Sequence, residues 1–364
     1  MTAARCQILG CRPVEEDTVF DIEFAEYEIA GRFCQIQMRA TRREGCESFT
    51  VDWGDGTVQE WSAYELWHNY TKAGRYTVRL GKNVRWWRLY ECCTLTPDNR
   101  ILISRPAIYP KCWSDWLESC QGTYCGWNNS DHGGVQGHVI PWGRSIASTF
   151  CCYQFCFDIR GGFPPWTPAI TDATGTYDRC TGLSGRVPKW GRNITKLAQC
   201  YCDCPGARGR FLPWPERCTD FASCFKNATG MYGDIPAWPE CAESLDSAFE
   251  GCTGATGIIP KWPEAVKSVN YCYKGCAGLT GAWTDDPALL MPEEKLRNSP
   301  TSDYYRCYDV VTGCADSVRS LFWDKNWGGT IPRPTEVATG ESTAMETGLT
   351  ARRWNADWRE NRAA

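Results

Sequence analysis

The chain has 364 residues, too many for one ordinary hydrophobic core and enough for two or three domains. Hydrophobic residues make up 43% and charged residues 23%, a balance that argues against wholesale disorder. Lys plus Arg number 39 against 43 Asp plus Glu, for a net charge of -4, and no long basic stripe points to nucleic acid as the main partner.

The first segment, residues 1–16, reads as an N-terminal arm. The opening run MTAARCQILGCRPVEEDT (1–18) has no apolar stretch long enough for a secretory leader, and no segment elsewhere approaches the ~20 apolar residues of a membrane helix. The expectation is a protein made in a cytoplasm without membrane insertion, although a chain trimmed of its leader would look the same.

Residues 17–90 change texture. TVFDIEF, FCQIQMRA, SFTVDWGDGTVQEW and GRYTVRLG alternate apolar and polar residues and are split by Gly-Asp turns, which predicts an antiparallel β-sandwich. The run VDWGDGTV (51–58), followed by His68-Asn69-Tyr70 and Gly74-Arg75-Tyr76-Thr77-Val78, resembles the PKD-type immunoglobulin-like domain. That resemblance implies a spacer or adhesion module. Asp52 and Asp55 suit a calcium ion by residue type and, more simply, a tight Asp-Gly turn.

Residues 91–136 read as an irregular capping repeat with an insertion, carrying Trp113, Trp116, Cys120, Cys125 and Trp127. Here Cys120, Cys125, His132 and His138 form a C-x4-C-x6-H-x5-H string. Zinc could use such residues, but the spacing matches no standard finger, and core cysteines with surface histidines are the simpler reading.

Residues 137–281 form a regular repeat. Trp142, Trp166, Trp190, Trp214, Trp238 and Trp262 follow one another at steps of 24. Other columns keep that step: Gly137, Gly161, Gly185, Gly209, Gly233 and Gly257, then the aromatics Tyr153, Tyr177, Tyr201, Phe225, Phe249 and Tyr273. A thiol column holds Cys156, Cys180, Cys204, Cys252 and Cys276, with Ala228 standing in once. A second alternates Cys152, Cys200, Cys224 and Cys272 with Thr176 and Ala248. One such unit cannot bury its own apolar face, so successive units should stack and share a core.

Within a unit, an apolar stretch such as GIIPKW suits a short strand. The following PEAVKSVNYCYKGC suits a short helix, with Val266, Val269 and Tyr273 at near-helical spacing and Pro in the first turn. IPKWPEAVKSVNYCYKGCAGLTG (259–281) and AWPECAESLDSAFEGCTGATG (237–257) resemble the BspA-type leucine-rich repeat. The fold class expected is therefore mixed: an N-terminal antiparallel β-sandwich followed by a right-handed α/β leucine-rich-repeat-like solenoid of 24-residue repeats. The Trp in every unit departs from that family's pattern.

The constant Trp column predicts a structural core ladder, with a stacked sugar-binding platform as the alternative. Replacement by Ala predicts free buried thiols in the cysteine columns, with a disulfide framework as the alternative. Residues 282–334 read as a degenerate repeat and cap, in which Cys307-Tyr308, Gly313 and GGTIP (328–332) partly restore the pattern. Residues 335–364 form a polar C-terminal tail, where Trp354 and Trp358 fall one helical turn apart and suggest docking onto the chain or a partner.

No phosphate loop, G-x-S-x-G or H-E-x-x-H is present, so the expectation is a non-enzyme with no cofactor and no metal. The resemblances imply a recognition or structural protein. The reading is a bacteriophage virion surface component (decoration, fibre or receptor-binding protein), whose partners are a host-surface protein or glycan and other virion proteins. A secreted BspA-like adhesin is the alternative, and an enzyme or zinc module at 113–138 a distant one. The sequence specifies neither the partner-binding residues nor the oligomeric state.

Overall fold

The computed structural model describes residues 16–24, 33–95, 101–103, 106–125, 134–285 and a few positions between 310 and 318. The arm before residue 16, Trp127, His132, Cys307-Tyr308, residues 328–332, and the tail with Trp354 and Trp358 lie outside them.

Among the described residues, nine strands build the N-terminal module: β1 (Thr18–Phe24), β2 (Phe33–Arg42), β3 (Phe49–Asp52), β4 (Val58–Trp61), β5 (Glu65–Tyr70), β6 (Gly74–Leu80), β7 (Val84–Leu95), β8 (Ile101–Ile103) and β9 (Ala107–Cys112). They form two antiparallel sheets, ordered β4-β3-β6-β1-β9 and β5-β2-β7-β8. Alternation drives this arrangement. In β2, Cys34, Ile36, Met38 and Ala40 are buried while their neighbours are not. The two sheets meet through aromatic pairs: Phe20 stacks on Trp87 at 4.9 Å, and Phe24 meets Tyr70 at 5.0 Å.

Beyond β9 the chain winds into stacked coils. β10 (Gly185–Arg186), β11 (Ala207–Arg210), β12 (Met231–Asp234), β13 (Gly254–Ile259) and β14 (Leu279–Ala282) form one parallel sheet along the stack. A second line of parallel bridges runs Ser148–Asp172–Lys196–Asp220–Ser244–Ser268, each residue 24 positions from the last. Residues 24 apart therefore lie over one another.

The α/β expectation is corrected. No α-helix occurs in the described residues 137–281, and the protein is all-β there, with turns at every position where a helix was expected. The segment Pro263–Cys276 buries Val266, Val269 and Tyr273 but forms turns. Hydrogen bonding gives the reason. A helix would send each N–H four residues back along its own chain. Here alternate N–H groups leave the coil: Thr149, Cys151, Tyr153 and Phe155 donate to the carbonyls of Asp172, Thr174, Thr176 and Asp178 in the next one. The groups between them close local turns, as when Cys152 donates to Thr149 and Cys156 to Tyr153.

Two backbone columns are left-handed to allow this. Cys151, Gly175, Gln199, Ser223, Ser247 and Tyr271 form one, with φ between 50 and 60°. Phe155, Arg179, Asp203, Asn227, Gly251 and Gly275 form the other, with φ between 50 and 78°. An α-helix cannot pass through such residues. At Gly206 the constraint is proximity: a β-carbon would stand 1.8 Å from the Leu183 carbonyl oxygen of the preceding coil.

The module and the stack share one core. Trp86 of β7 bridges Ser119, Leu89 donates to the Thr123 carbonyl, and Trp87 packs on Trp113 and Tyr124. β7 thus serves as the surface on which the first coil lies.

Candidate functional site

The sequence-selected residues lie inside. Trp142, Trp166, Trp190, Trp214 and Trp238 stack in file at 6.0, 6.4, 6.0 and 5.3 Å, with interplanar angles of 22° or less. Trp262 lies on Tyr273 at 5.5 Å. Trp190 is half-buried and the other five are buried. With the indole faces covered by one another, none is presented as a platform to solvent. The aromatic column Tyr153–Tyr177–Tyr201–Phe225–Phe249–Tyr273 stacks beside it at 5.5 to 6.1 Å.

Cys156, Cys180, Cys204, Cys252 and Cys276 are buried and unbridged. The thiols do more than fill space. Cys180 donates to the Tyr153 carbonyl at 2.9 Å, Cys252 to Phe225 at 3.0 Å and Cys276 to Phe249 at 3.1 Å. Each reaches into the coil before its own, and the Ala at position 228 forgoes that bond. Burial pushes the Cys204 thiol up to about 12 and that of Cys125 up to about 11. Both stay protonated at neutral pH, which disfavours nucleophilic chemistry.

The zinc string is not assembled among its described members. Cys120 donates to the Ser148 carbonyl at 3.5 Å and Cys125 to Gln154 at 3.5 Å, whereas His138 is exposed and bridges Arg160. His132 lies outside the described residues. Asp52 and Asp55 are occupied by their own turn: Asp52 accepts from the Gly54 amide at 2.9 Å, and Asp55 accepts from Thr57 at 3.0 Å and meets His68 at 2.7 Å.

Among the described residues, one group of three has metal-capable atoms close together: Asp178, Cys202 and Asp203, within 4.8 Å of one another. Its electrostatics oppose a cation. Arg179 donates to one oxygen of Asp203 at 3.2 Å and Asn227 to the other at 2.7 Å. Gln154 holds Asp178 at 2.9 Å. Burial raises the Asp178 carboxyl to about 6, against the lowering effects of the Gln154 hydrogen bond and the Arg179 charge. These residues belong to a polar file, Gln154–Asp178–Cys202–Lys226–Glu250–Lys274, that runs along one edge of the stack at the repeat step. Farther along it Glu250 takes Lys226 at 2.8 Å and Lys274 at 3.4 Å.

Two exposed features remain outside the core. The first is a shallow cavity of about 230 Å³ on the outer face of the β5-β2-β7-β8 sheet, lined by Gln35, Gln37, Glu65, Trp67 and Tyr90 among others. Trp67 is 54% exposed there, and Gln35 donates to Asn69 at 3.0 Å.

The second is the outward face of the parallel sheet. Period-2 alternation buries Ala207, Met231, Ala255 and Leu279 and turns Arg208, Arg210, Tyr232, Asp234, Thr256, Ile258 and Thr280 outward. His138, Arg160 and Arg186 continue that exposed face toward the N-terminal end. The inward columns are nearly constant, whereas these outward positions change from coil to coil. The register brings His138 beside Arg160, Arg186 beside Arg208, and Arg210 beside Tyr232. Arginine stems lean over the glycine column, with Arg186 Cγ only 3.3 Å from where a β-carbon on Gly209 would stand. Small residues at 209 and 233 thus let arginines lie flat on the sheet.

This strip escaped sequence reasoning because its members are about 22 residues apart in sheet register, not 24. Their alternation with Ala207 and Gly209 in ARGR was the available signal. Comparison of the chain with protein-family models, curated proteins and solved structures finds no match. The BspA-type and PKD-type resemblances thus rest on their motifs alone.

Proposed function

We propose that the protein is a non-enzymatic structural and recognition protein, a surface component of a bacteriophage virion that presents the outward face of its coil stack to a partner. One observation carries the recognition half of this reading: constant residues point into the stack while the exposed positions vary from coil to coil. Stacked-repeat proteins bind through such surfaces, because the core fixes the backbone and frees the outer residues to differ. The buried, protonated thiols favour a structural over a catalytic use of the cysteines. The unbridged state of the described cysteines favours assembly in a reducing compartment, as a virion protein made inside its host requires.

Immunogold labelling of purified particles tests the placement. Labelling of intact virions is expected. Recovery from the secreted or cell-surface fraction, with no particle label and with extensive disulfide bridging on thiol titration, would replace this reading with that of a secreted adhesin.

A further inference from the structure

Among the described residues, most arginines that lie near carboxylates are paired with them. Arg39 meets Glu65, Arg75 meets Asp21, Arg85 meets Glu118, Arg144 meets Asp115 and Arg179 meets Asp203, all within 3.3 Å. Arg160, Arg186, Arg208 and Arg210 are different. All four are exposed, Arg186, Arg208 and Arg210 on the parallel sheet and Arg160 in an isolated bridge to His138 just before it, and none forms an ion pair with another described residue. Successive strands lie ~4.8 Å apart, so Arg186 and Arg208, paired in register, put two positive side chains on neighbouring strands of one face. Like charges held this close repel, and in a chain of net charge -4 they form a local positive strip against the overall sign. A strip of this kind is suited to a counter-charge brought by a ligand.

The rest of the same face narrows the choice of ligand. Arg210 is paired in register with Tyr232, which is 49% exposed. Asp234, the carboxylate of the same face, accepts from the Thr256 hydroxyl at 2.9 Å and lies beyond the arginines; Thr280 adds a further hydroxyl, and Ile258 is 52% exposed. A guanidinium fork matches carboxylate or sulfate in a bidentate manner. An exposed phenol ring offers a flat apolar surface, and the threonines offer donors and acceptors to hydroxyls. A chain that carries anionic groups on one side and alternates C–H faces with hydroxyls satisfies all three. Duplex nucleic acid would use chiefly the first.

We infer that the face formed by Arg160, Arg186, Arg208, Arg210 and Tyr232 binds an acidic polysaccharide, one bearing carboxylate or sulfate groups. This rests on the recognition reading above and specifies its ligand class.

The test uses the full chain with three probes: polygalacturonate, dextran sulfate and neutral dextran, measured by calorimetry at low and moderate salt. At least one acidic polymer should bind and neutral dextran should not. Binding should fall at least tenfold in R186A/R210A, and several-fold in Y232A without loss of salt dependence. R192A/K261A removes two charges elsewhere and should leave binding unchanged. Because all the altered side chains are exposed, an unchanged thermal transition accompanies each variant. An equal fall in R192A/K261A, or equal competition by duplex DNA, overturns the inference by reducing the strip to generic charge. Failure of both acidic polymers to bind also overturns it. If the protein nonetheless labels virions and adsorbs to cells, the recognition reading stands; if these are lost as well, both fall.

Discussion

The N-terminal module and the coil stack solve the same packing problem in opposite ways. In the module each large side chain meets a different partner: Phe20 meets Trp87, Phe24 meets Tyr70, and Trp53 stacks on His68 at 4.8 Å. In the stack each side chain meets its own copy, Trp on Trp and Tyr on Tyr or Phe. Complementary packing fixes one arrangement through many unlike contacts. Self-stacking fixes a repeat distance and lets the same solution extend along an axis. The cost is that any flaw in a repeating column is inherited by two neighbours at once.

The sharpest way to break that contrast is to interrupt the indole file. Trp214 lies between Trp190 at 6.0 Å and Trp238 at 5.3 Å and also packs edge-on against Phe221. Trp214→Ala should cost about 3–5 kcal/mol in denaturant unfolding, the usual penalty for a large buried aromatic. Trp67→Ala, on the exposed face of the module, should stay within about 0.5 kcal/mol. Equal losses would show that the file is not the stack's backbone of stability.

A smaller effect concerns the polar file. The folded carboxyl of Asp178 titrates near 6, against 3.8 ordinarily, chiefly because burial disfavours its charge. Between those values the folded form holds more proton than the unfolded form, so stability falls as pH rises through this window and stays reduced above it. A difference of that size corresponds to about 3 kcal/mol as an upper bound. Asp178→Asn should therefore flatten stability against pH between about 4 and 6 and raise it by about 1–3 kcal/mol at pH 8. An unchanged slope in guanidinium titrations at pH 4, 6 and 8 would refute this.

Below that comes the Tyr177 hydroxyl, which is buried and finds no hydrogen-bond partner among the described residues. The chain itself places Phe at 225 and 249 in the same column. Tyr177→Phe should stabilise by about 1 kcal/mol, since it removes an unsatisfied buried group without leaving a cavity. A destabilisation of that size would mean the hydroxyl is satisfied in solution.

The smallest effect tests the corner itself. Gln199 has φ of 56°. In an exposed helix, Gln to Gly costs about 1 kcal/mol. At a left-handed corner, relief of backbone strain offsets the entropy lost, so Gln199→Gly should be neutral within about 0.5 kcal/mol. A full loss of 1 kcal/mol would restore the helical reading of this segment.

The helix expected there marks where the sequence stops being legible. Constant columns at a step of 24 are sufficient to place identical residues over one another, because only stacked coils let one side chain serve every unit. They do not specify how a coil closes. Val266, Val269 and Tyr273 fit a helix face, and the same three side chains also point inward from a run of turns. Asp203, Asn227, Gly251 and Gly275, residue types that tolerate left-handed backbone, recur only at the end of the expected helices, where a helix cap would suit them equally, whereas the left-handed column inside the segment is Gln199, Ser223, Ser247 and Tyr271, which carry no such signal. The binding strip was hidden for another reason. Arg186 and Arg208 are unremarkable until the sheet register sets them side by side.

The corners also govern how the stack could grow. From Thr149 to Gly251, the corner amides donate toward the C-terminal coils, and the carbonyls they meet face the other way. Peptide units ordered like this add their dipoles, as they do in a helix. This file thus has unlike ends, while a second file, in which Thr171, Thr195, Thr219, Glu243 and Lys267 donate to the coil before their own, runs the other way. One end offers carbonyl oxygens, and the Leu89 amide of the module satisfies that of Thr123; the other offers amides, and the Val310 carbonyl takes that of Tyr273. Extra coils inserted between these two terminators would have to run in the same direction as the rest, and a coil added in reverse would set donor against donor.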